Sequence, residues 1–256
     1  LLARDFLDKC DLTDEEKIYI IKLISLHTVV FHMMEGEDWE WKVAEKFVGQ
    51  SELLKDLLVL GYCDARGRFM EKEFEYTLDQ LQYKFAFVFE AIRELEAKPK
   101  TTAPKEVVIL IGPPNAGKST YLKKYAGADL VLCRDDVICS MFPTLTYDEA
   151  YRKADPSEVD KKFNAQVQAA VKAKVDRVYF DLTNMAPKAR RRNTGAFGKE
   201  YKVKMVVFLT SYETLLKRNK IRSQTGKSIP ESVILDMAKR FLFPLADEAD
   251  EVEVIY

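Results

Sequence analysis

Cysteine and histidine are scarce in this chain: 256 residues carry four cysteines and two histidines. Cys10, Cys63, Cys133 and Cys139 form no CxxC pair. That excludes zinc fingers and a disulfide framework, and makes a reducing cytoplasm the expected compartment. No run approaches the roughly 18 uncharged apolar residues that a membrane-spanning helix needs, so no membrane partner is expected. The start, Leu1-Leu2-Ala3-Arg4-Asp5, has no basic stretch ahead of an apolar one, and a secretory leader is not expected either. Internal repeats and low-complexity tracts are absent. What is present, 47% apolar and 32% charged residues, supports a packed core under a well-solvated surface.

The net charge of −1 conceals an asymmetry. Residues 1–100 carry 14 Lys+Arg against 21 Asp+Glu, whereas residues 101–256 carry 26 against 20. Five of the latter acids sit in the tail Asp247–Glu253. A basic unit beside an acidic one has two readings: a polyanionic partner for the basic unit, or an ordinary solvated charged surface.

Pattern divides the chain at the same place. Over 14–98, Ile18, Ile21, Leu23 and Ile24, and later Leu53, Leu54, Leu57 and Leu58, recur at helical spacing. Thr13 followed by Glu16 fits a capping box that opens the first of these helices. Glycine and proline are scarce until Pro99, where a segment with two prolines predicts a linker at 99–106. Beyond it, Val107–Ile111 is a continuous β-branched run of the kind a strand buried on both faces requires. Shorter runs follow at Leu130–Leu132, Val178–Phe180 and Met205–Leu209, with helical segments at 157–174 and 211–222. Val252–Tyr256 reads as a closing edge strand. The expected fold is therefore α/β: a parallel sheet with helices on both faces (107–256), of P-loop NTPase type by the motif described next, beside a small all-α domain (1–98).

Gly112-Pro113-Pro114-Asn115-Ala116-Gly117-Lys118-Ser119-Thr120 fits G-x-x-x-x-G-K-[ST] in full, directly after the first buried strand. Glycines let successive backbone N–H groups converge on phosphate oxygens, and the helix that follows adds its dipole. Lys118 would neutralise the β- and γ-phosphates, and the Ser119 hydroxyl would hold Mg²⁺.

A phosphate cradle does not identify the acceptor. The second strand runs into Cys133-Arg134-Asp135-Asp136, at the strand edge where ligands of parallel sheets bind. One carboxylate there suits proton abstraction from an attacking hydroxyl, while either one also suits a helix N-cap. Asp181 ends the third strand at the same edge, fit to organise Mg²⁺ or its waters, to pair with an arginine, or simply to start a turn. Arg218 and Arg222 lie four apart on one helix face and suit a phosphate chain, or a solvated helix end. Gln224–Lys227 would be the flexible turn of a lid. Lys188 and Arg190-Arg191-Arg192 suit acceptor phosphates or a solvated face equally.

These blocks, with Thr183-Asn184, Lys217–Arg222 and Gly226–Pro230, resemble the phage and bacterial polynucleotide 5′-kinases over 107–240. The resemblance implies an NTP-dependent kinase, using ATP or another NTP with Mg²⁺, that phosphorylates 5′-OH ends of RNA or DNA in end repair. It implies donor contacts from Gly112, Asn115, Ala116, Gly117, Lys118, Ser119, Thr120, Arg218 and Arg222. Asp135, first of the acid pair, would be the general base; Arg222 would act on the donor phosphates; Asp181 would support the site. Members often carry an arginine three residues after the base, where this chain has Ile138. Arg134 and Arg191 are the replacements expected for acceptor binding. The first half is similar to the C-terminal helices of an HD-family phosphohydrolase, at Leu23–His32 and Tyr62–Arg68. It has no His-Asp dyad, so phosphohydrolase activity is not expected, and His27, His32, Trp39 and Trp41 read as packing residues. Two other functions fit the cradle: a small-molecule kinase, and an NTP-binding interaction module without transfer.

Overall fold

The computed structural model describes residues 1–34, 36–67, 76–97, 104–223 and 229–256. In chain order the elements are α1 (Leu2–Leu7), α2 (Asp14–Leu26), α3 (Val29–His32), α4 (Trp39–Lys46), α5 (Ser51–Gly67) and α6 (Leu78–Glu96). Then come β1 (Lys105–Ile111), α7 (Lys118–Tyr125), β2 (Leu130–Cys133), α8 (Arg134–Met141), α9 (Tyr147–Lys153) and α10 (Pro156–Ala173). The chain continues through β3 (Arg177–Asp181), α11 (Pro187–Thr194), β4 (Tyr201–Phe208), α12 (Tyr212–Ser223), α13 (Glu231–Lys239) and β5 (Glu251–Ile255).

The five strands form one parallel sheet in the order β2-β3-β1-β4-β5. Val107 to Ile111 are all buried, as the uninterrupted apolar run required. Each such side chain contributes roughly 1.5–3 kcal/mol on leaving water. Alternation sorts them between two faces. Val108 and Leu110 join Tyr179, Val206 and Phe208 in a cluster with Leu215 of α12 and Ile234 of α13, against which Tyr121 and Leu122 of α7 pack. On the opposite face, Phe180 meets Phe163 of α10 edge-on at 6.3 Å. Helices thus cover both faces, and the sheet's order reverses at β1, whose neighbours are β3 and β4. The C-terminal end of such a strand is where open α/β sheets bind ligands.

The chain divides into two compact units, and their membership differs from the split at 99–106 in two places. Leu1–Leu12 joins the sheet unit together with Thr102–Phe241 and Asp250–Tyr256. The reasons are specific contacts: Arg4 donates to the Leu209 carbonyl, its guanidinium stacks 3.9 Å from the Tyr256 ring centroid, and the Tyr256 hydroxyl donates to Asp8 at 2.7 Å. Leu242–Ala249 joins the helical unit with Thr13–Thr101. There Asp247 pairs with Lys46, the Ala246 N–H donates to the Lys46 carbonyl at 3.0 Å, and Lys22 lies 5.0 Å from the Phe243 ring. Of the expected linker, 99–103 lies outside the described residues, and Lys105 already opens β1.

In the helical unit, Thr13 and Glu16 form the capping box read from the sequence, and Thr77 with Gln80 forms a second one. Gly61 of α5 permits a close approach: a Cβ there would sit 2.3 Å from Phe31 Cε2 and 3.0 Å from the His27 carbonyl. Trp39 packs edge-on against Phe85 at 5.3 Å. One packing expectation is corrected: His32 is exposed at the end of the one-turn helix α3. Trp41, 37% accessible, keeps most of its surface covered. His27 is half-buried, its Nδ1 2.8 Å from the Ile24 carbonyl and its Nε2 4.0 Å from Asp64. Arg68 of the segment that suggested an HD-like module lies outside the described residues. Among the described residues, no helix is long and apolar enough to cross a membrane, and no group of three or more His, Cys, Asp or Glu side chains is placed to hold a metal.

Candidate active site

β1 delivers the chain into Gly112, where backbone packing is tight. A Cβ at Gly112 would meet Ala116 Cβ at 3.0 Å and Phe208 Cβ at 3.1 Å. Asn115 turns left-handed at φ 69°, and Gly117, the N-cap of α7, does so at φ 109°, a conformation costly for any residue with a side chain. The loop is held from behind: the Thr210 hydroxyl donates to the Ala116 carbonyl at 2.8 Å, and the Gly112 N–H donates to the Thr183 carbonyl at 3.0 Å. Ser119 and Thr120 emerge exposed on the first turn of α7.

Lys118 folds back over this loop, its ammonium donating to the Gly112 and Pro113 carbonyls at 2.8 and 2.9 Å. Burial pushes its pKa down to about 8, against the attraction of Asp181, Cys133 and Asp135, and with Arg222 adding to the depression. Asp181 responds in the opposite direction. Burial raises its carboxyl above the usual range, Asp135 and Asp136 reinforce the rise, and Lys118 opposes it. These charges form one coupled group because the sheet register assembles them. Cys133, last in β2, pairs with Asp181, last in β3, so Asp135 lies two residues beyond the same sheet edge.

The acid pair resolves geometrically. Cys133 is the N-cap of α8, without a side-chain cap, so neither aspartate takes that place. Asp135 is half-buried and lines the cleft together with Lys118, Ser119, Asp181 and Arg222. Asp136 is exposed and, among the described residues, is not part of that wall. Tyr147 shares this wall with Asp135, and burial with the Asp135 charge pushes the phenol's pKa up.

The arginine helix is tied to the loop by Asn115. Arg218 Nη1 donates to the Asn115 carbonyl at 3.0 Å, and Arg222 Nη1 donates to its Oδ1 at 3.1 Å. Its Nδ2 donates in turn to Asn219 Oδ1 at 3.3 Å, while Asn219 Nδ2 donates to the Ile229 carbonyl at 2.7 Å. One asparagine therefore couples cradle and arginine helix, a role its position in the motif did not disclose. The turn Gln224–Lys227, and Gly226–Ser228 of the block beside it, lie outside the described residues.

The basic cluster splits three ways because successive helical residues point about 100° apart. Arg190 is wholly buried, its Nη1 donating to the Asn184 and Met185 carbonyls at 3.2 and 3.3 Å, which overturns both readings given to it above. It braces the loop after Asp181 with Asn184, whose Nδ2 donates to the Leu110 carbonyl at 2.9 Å and whose Oδ1 accepts from Asn193 at 2.9 Å. Arg191 is exposed and stands away from the cleft wall; Arg192 lines it instead. Arg134 also lines the cleft and pairs with Asp160 at 2.6 Å. Ile138, buried, presents no charge there.

The donor set suits a nucleotide-borne Mg²⁺. That ion takes one or two protein oxygens and fills its remaining positions with phosphate and water, and the Ser119 hydroxyl and Asp181 carboxylate are such oxygens on this wall. The cleft, of about 1540 Å³, exceeds the roughly 300–1,000 Å³ usual for small-molecule sites.

Comparison with known proteins places this unit. The family model described as AAA domain matches residues 107–244, more than half of the chain. Heterogeneous nuclear ribonucleoprotein U-like protein 2 is 28% identical in Mus musculus and 29% identical in Homo sapiens over 167 residues. That alignment covers 60% of this chain but 22% of each relative, so the chain spans about a fifth of their length. Among solved structures, a chain of the Pnkp1/Rnl/Hen1 RNA repair complex is 24% identical with a TM-score of 0.43, covering 60% of this chain and 51% of that one. A gluconokinase from Sinorhizobium meliloti 1021 is 12% identical with a TM-score of 0.38, covering 60% and 83%.

Proposed function

The chain belongs to the AAA domain family through residues 107–244, and from that premise we propose that it is an NTP-dependent polynucleotide 5′-hydroxyl kinase. The observation that carries this reading is the shared cleft of Lys118, Asp135, Asp181 and Arg222, in which a phosphate cradle and a carboxylate at the acceptor edge face one space. Family membership alone supports nucleotide binding; Asp135 adds a group able to activate a hydroxyl.

In the reaction, Asp135 accepts the proton of the terminal 5′-hydroxyl as that oxygen attacks the γ-phosphorus. The bond from the γ-phosphorus to the β,γ-bridging oxygen breaks, and the nucleoside diphosphate leaves with that electron pair. Lys118 and Arg222 offset charge on the transferring and leaving oxygens. Ser119, and Asp181 directly or through water, would hold Mg²⁺, which would add neutralisation of the phosphate charge. Asn115 keeps Arg218 and Arg222 against the cradle. A strand acceptor is favoured over a metabolite by the cleft's size and by the basic side chains of Arg134 and Arg192 on its wall. The resemblance of the first half to HD-module helices stands as our reading of its origin, with no catalytic part assigned to it.

The test offers γ-labelled donor with 5′-OH RNA or DNA strands in competition with free metabolites, at rising salt. Label on the strand, declining as salt increases, is the expected result. Label on a metabolite with no salt dependence supports the small-molecule reading instead, and tight nucleotide binding without any transfer supports an interaction module.

A further inference from the structure

Beyond Asp135 the cleft wall is aromatic. Thr146 and Glu149 form a capping box that fixes the start of α9, the Thr146 N–H donating to Glu149 Oε2 at 2.9 Å. That start places Tyr147 and Tyr151 four residues apart on one helix face. Their rings stack with centroids 6.0 Å apart and planes 30° apart, and both line the cleft. The inner ring is half-buried and shares the wall with Asp135. The outer ring is 60% exposed, leaving a broad π-face open to the cleft. Arg134 and Arg192 belong to the same wall, offering positive charge beside the two rings.

A packing role explains Tyr147 but not Tyr151, whose ring stays mostly in solvent. A stack that begins at the proposed proton acceptor and ends in an open aromatic face has the shape of a base platform. Any nucleobase presents a π-face, so stacking holds a strand end without selecting its sequence. A sugar or polyol metabolite has none to offer. We propose that Tyr147 and Tyr151 seat the terminal nucleobase of the acceptor strand, so that stacking on Tyr151 brings its 5′-hydroxyl to Asp135. This rests on the polynucleotide-kinase reading and deepens it, naming the contact that recognises a nucleic-acid end where Ile138 supplies no charge.

The experiment measures steady-state transfer to two 5′-OH strands, one intact and one with an abasic first residue, by the wild-type protein, Tyr151→Ala and Tyr151→Phe. Loss of a base–aromatic stack changes affinity by roughly 5- to 150-fold. The expected result is a rise of that size in the KM of Tyr151→Ala for the intact strand, with kcat retained. Tyr151→Phe, which keeps the π-face, restores the KM. The wild-type protein loses the same factor on the abasic strand, and Tyr151→Ala no longer distinguishes the two strands. Transfer by all three proteins with one KM, or an abasic penalty that survives in Tyr151→Ala, overturns the platform and leaves the kinase reading standing. If the wild-type protein phosphorylates neither strand, the kinase reading falls and the platform falls with it.

Discussion

Replacing Lys118 by methionine should make the protein more stable and unable to use nucleotide. The ammonium is held in a buried position where its pKa lies at about 8 rather than the ordinary 10.5. At about 1.4 kcal/mol per pH unit, holding that charge costs roughly 3 kcal/mol at neutral pH. Methionine removes the cost but also removes two donors from the Gly112 and Pro113 carbonyls, each worth about 1 kcal/mol. The net expectation is a gain of about 1–2 kcal/mol at pH 7. The sign follows from proton counting. Between pH 8 and 10.5 the unfolded chain keeps the lysine proton while the folded chain has lost it, so wild-type stability rises through that window relative to the variant. Urea unfolding of both proteins from pH 7 to 10.5 should show the gap closing as pH increases. A methionine variant less stable than wild type at pH 7, or a gap independent of pH, would refute the placement of the charge. The same reasoning holds for binding: a phosphate restores the lysine proton, so nucleotide binding above pH 8 should take up a proton, which calorimetry in two buffers of different ionisation enthalpy detects.

Asn115→Gly keeps the left-handed turn at φ 69° but removes the side-chain bonds to Arg222 and Asn219. Nucleotide affinity should fall roughly 5- to 30-fold by titration calorimetry, and an unchanged Kd would dismiss the clamp. Arg190→Met leaves the Asn184 and Met185 carbonyls without their donor and should cost about 2–5 kcal/mol in denaturant unfolding. In the helical unit, Gly61→Ala forces a methyl against Phe31 and should lower stability by about 1–3 kcal/mol, visible as a lower Tm.

The central strands were readable in advance because strands buried on both faces leave uninterrupted apolar runs, as at Val107–Ile111 and Val178–Phe180; Leu130–Leu132 also lies within a strand, the edge strand β2, where Leu130 is exposed. The phosphate loop was readable because its chemistry is local: glycine torsions, one ammonium and one hydroxyl within nine residues. Features that depend on distant partners were not. Strand order gives no periodic signal, nor does the membership of Leu1–Leu12 in the sheet unit, which rests on contacts with Leu209 and Tyr256. Arg190 looks like a surface arginine until carbonyls six and five residues earlier are seen to surround it. Tyr147 and Tyr151 had a readable signal, the four-residue spacing behind a Thr-x-x-Glu cap, but only the packing of α9 on α8 brings them to the wall that holds Asp135.

The proposed transfer requires Asp135 to act on the same phosphoryl group that Lys118 holds. Single-turnover transfer of γ-phosphate from saturating donor to a 5′-OH oligonucleotide, compared between wild type and Asp135→Asn, measures this directly. The expected rate for Asp135→Asn is lower by about 10²- to 10⁴-fold, with donor Kd little changed. Asp135→Asn turning over at the wild-type rate would contradict it.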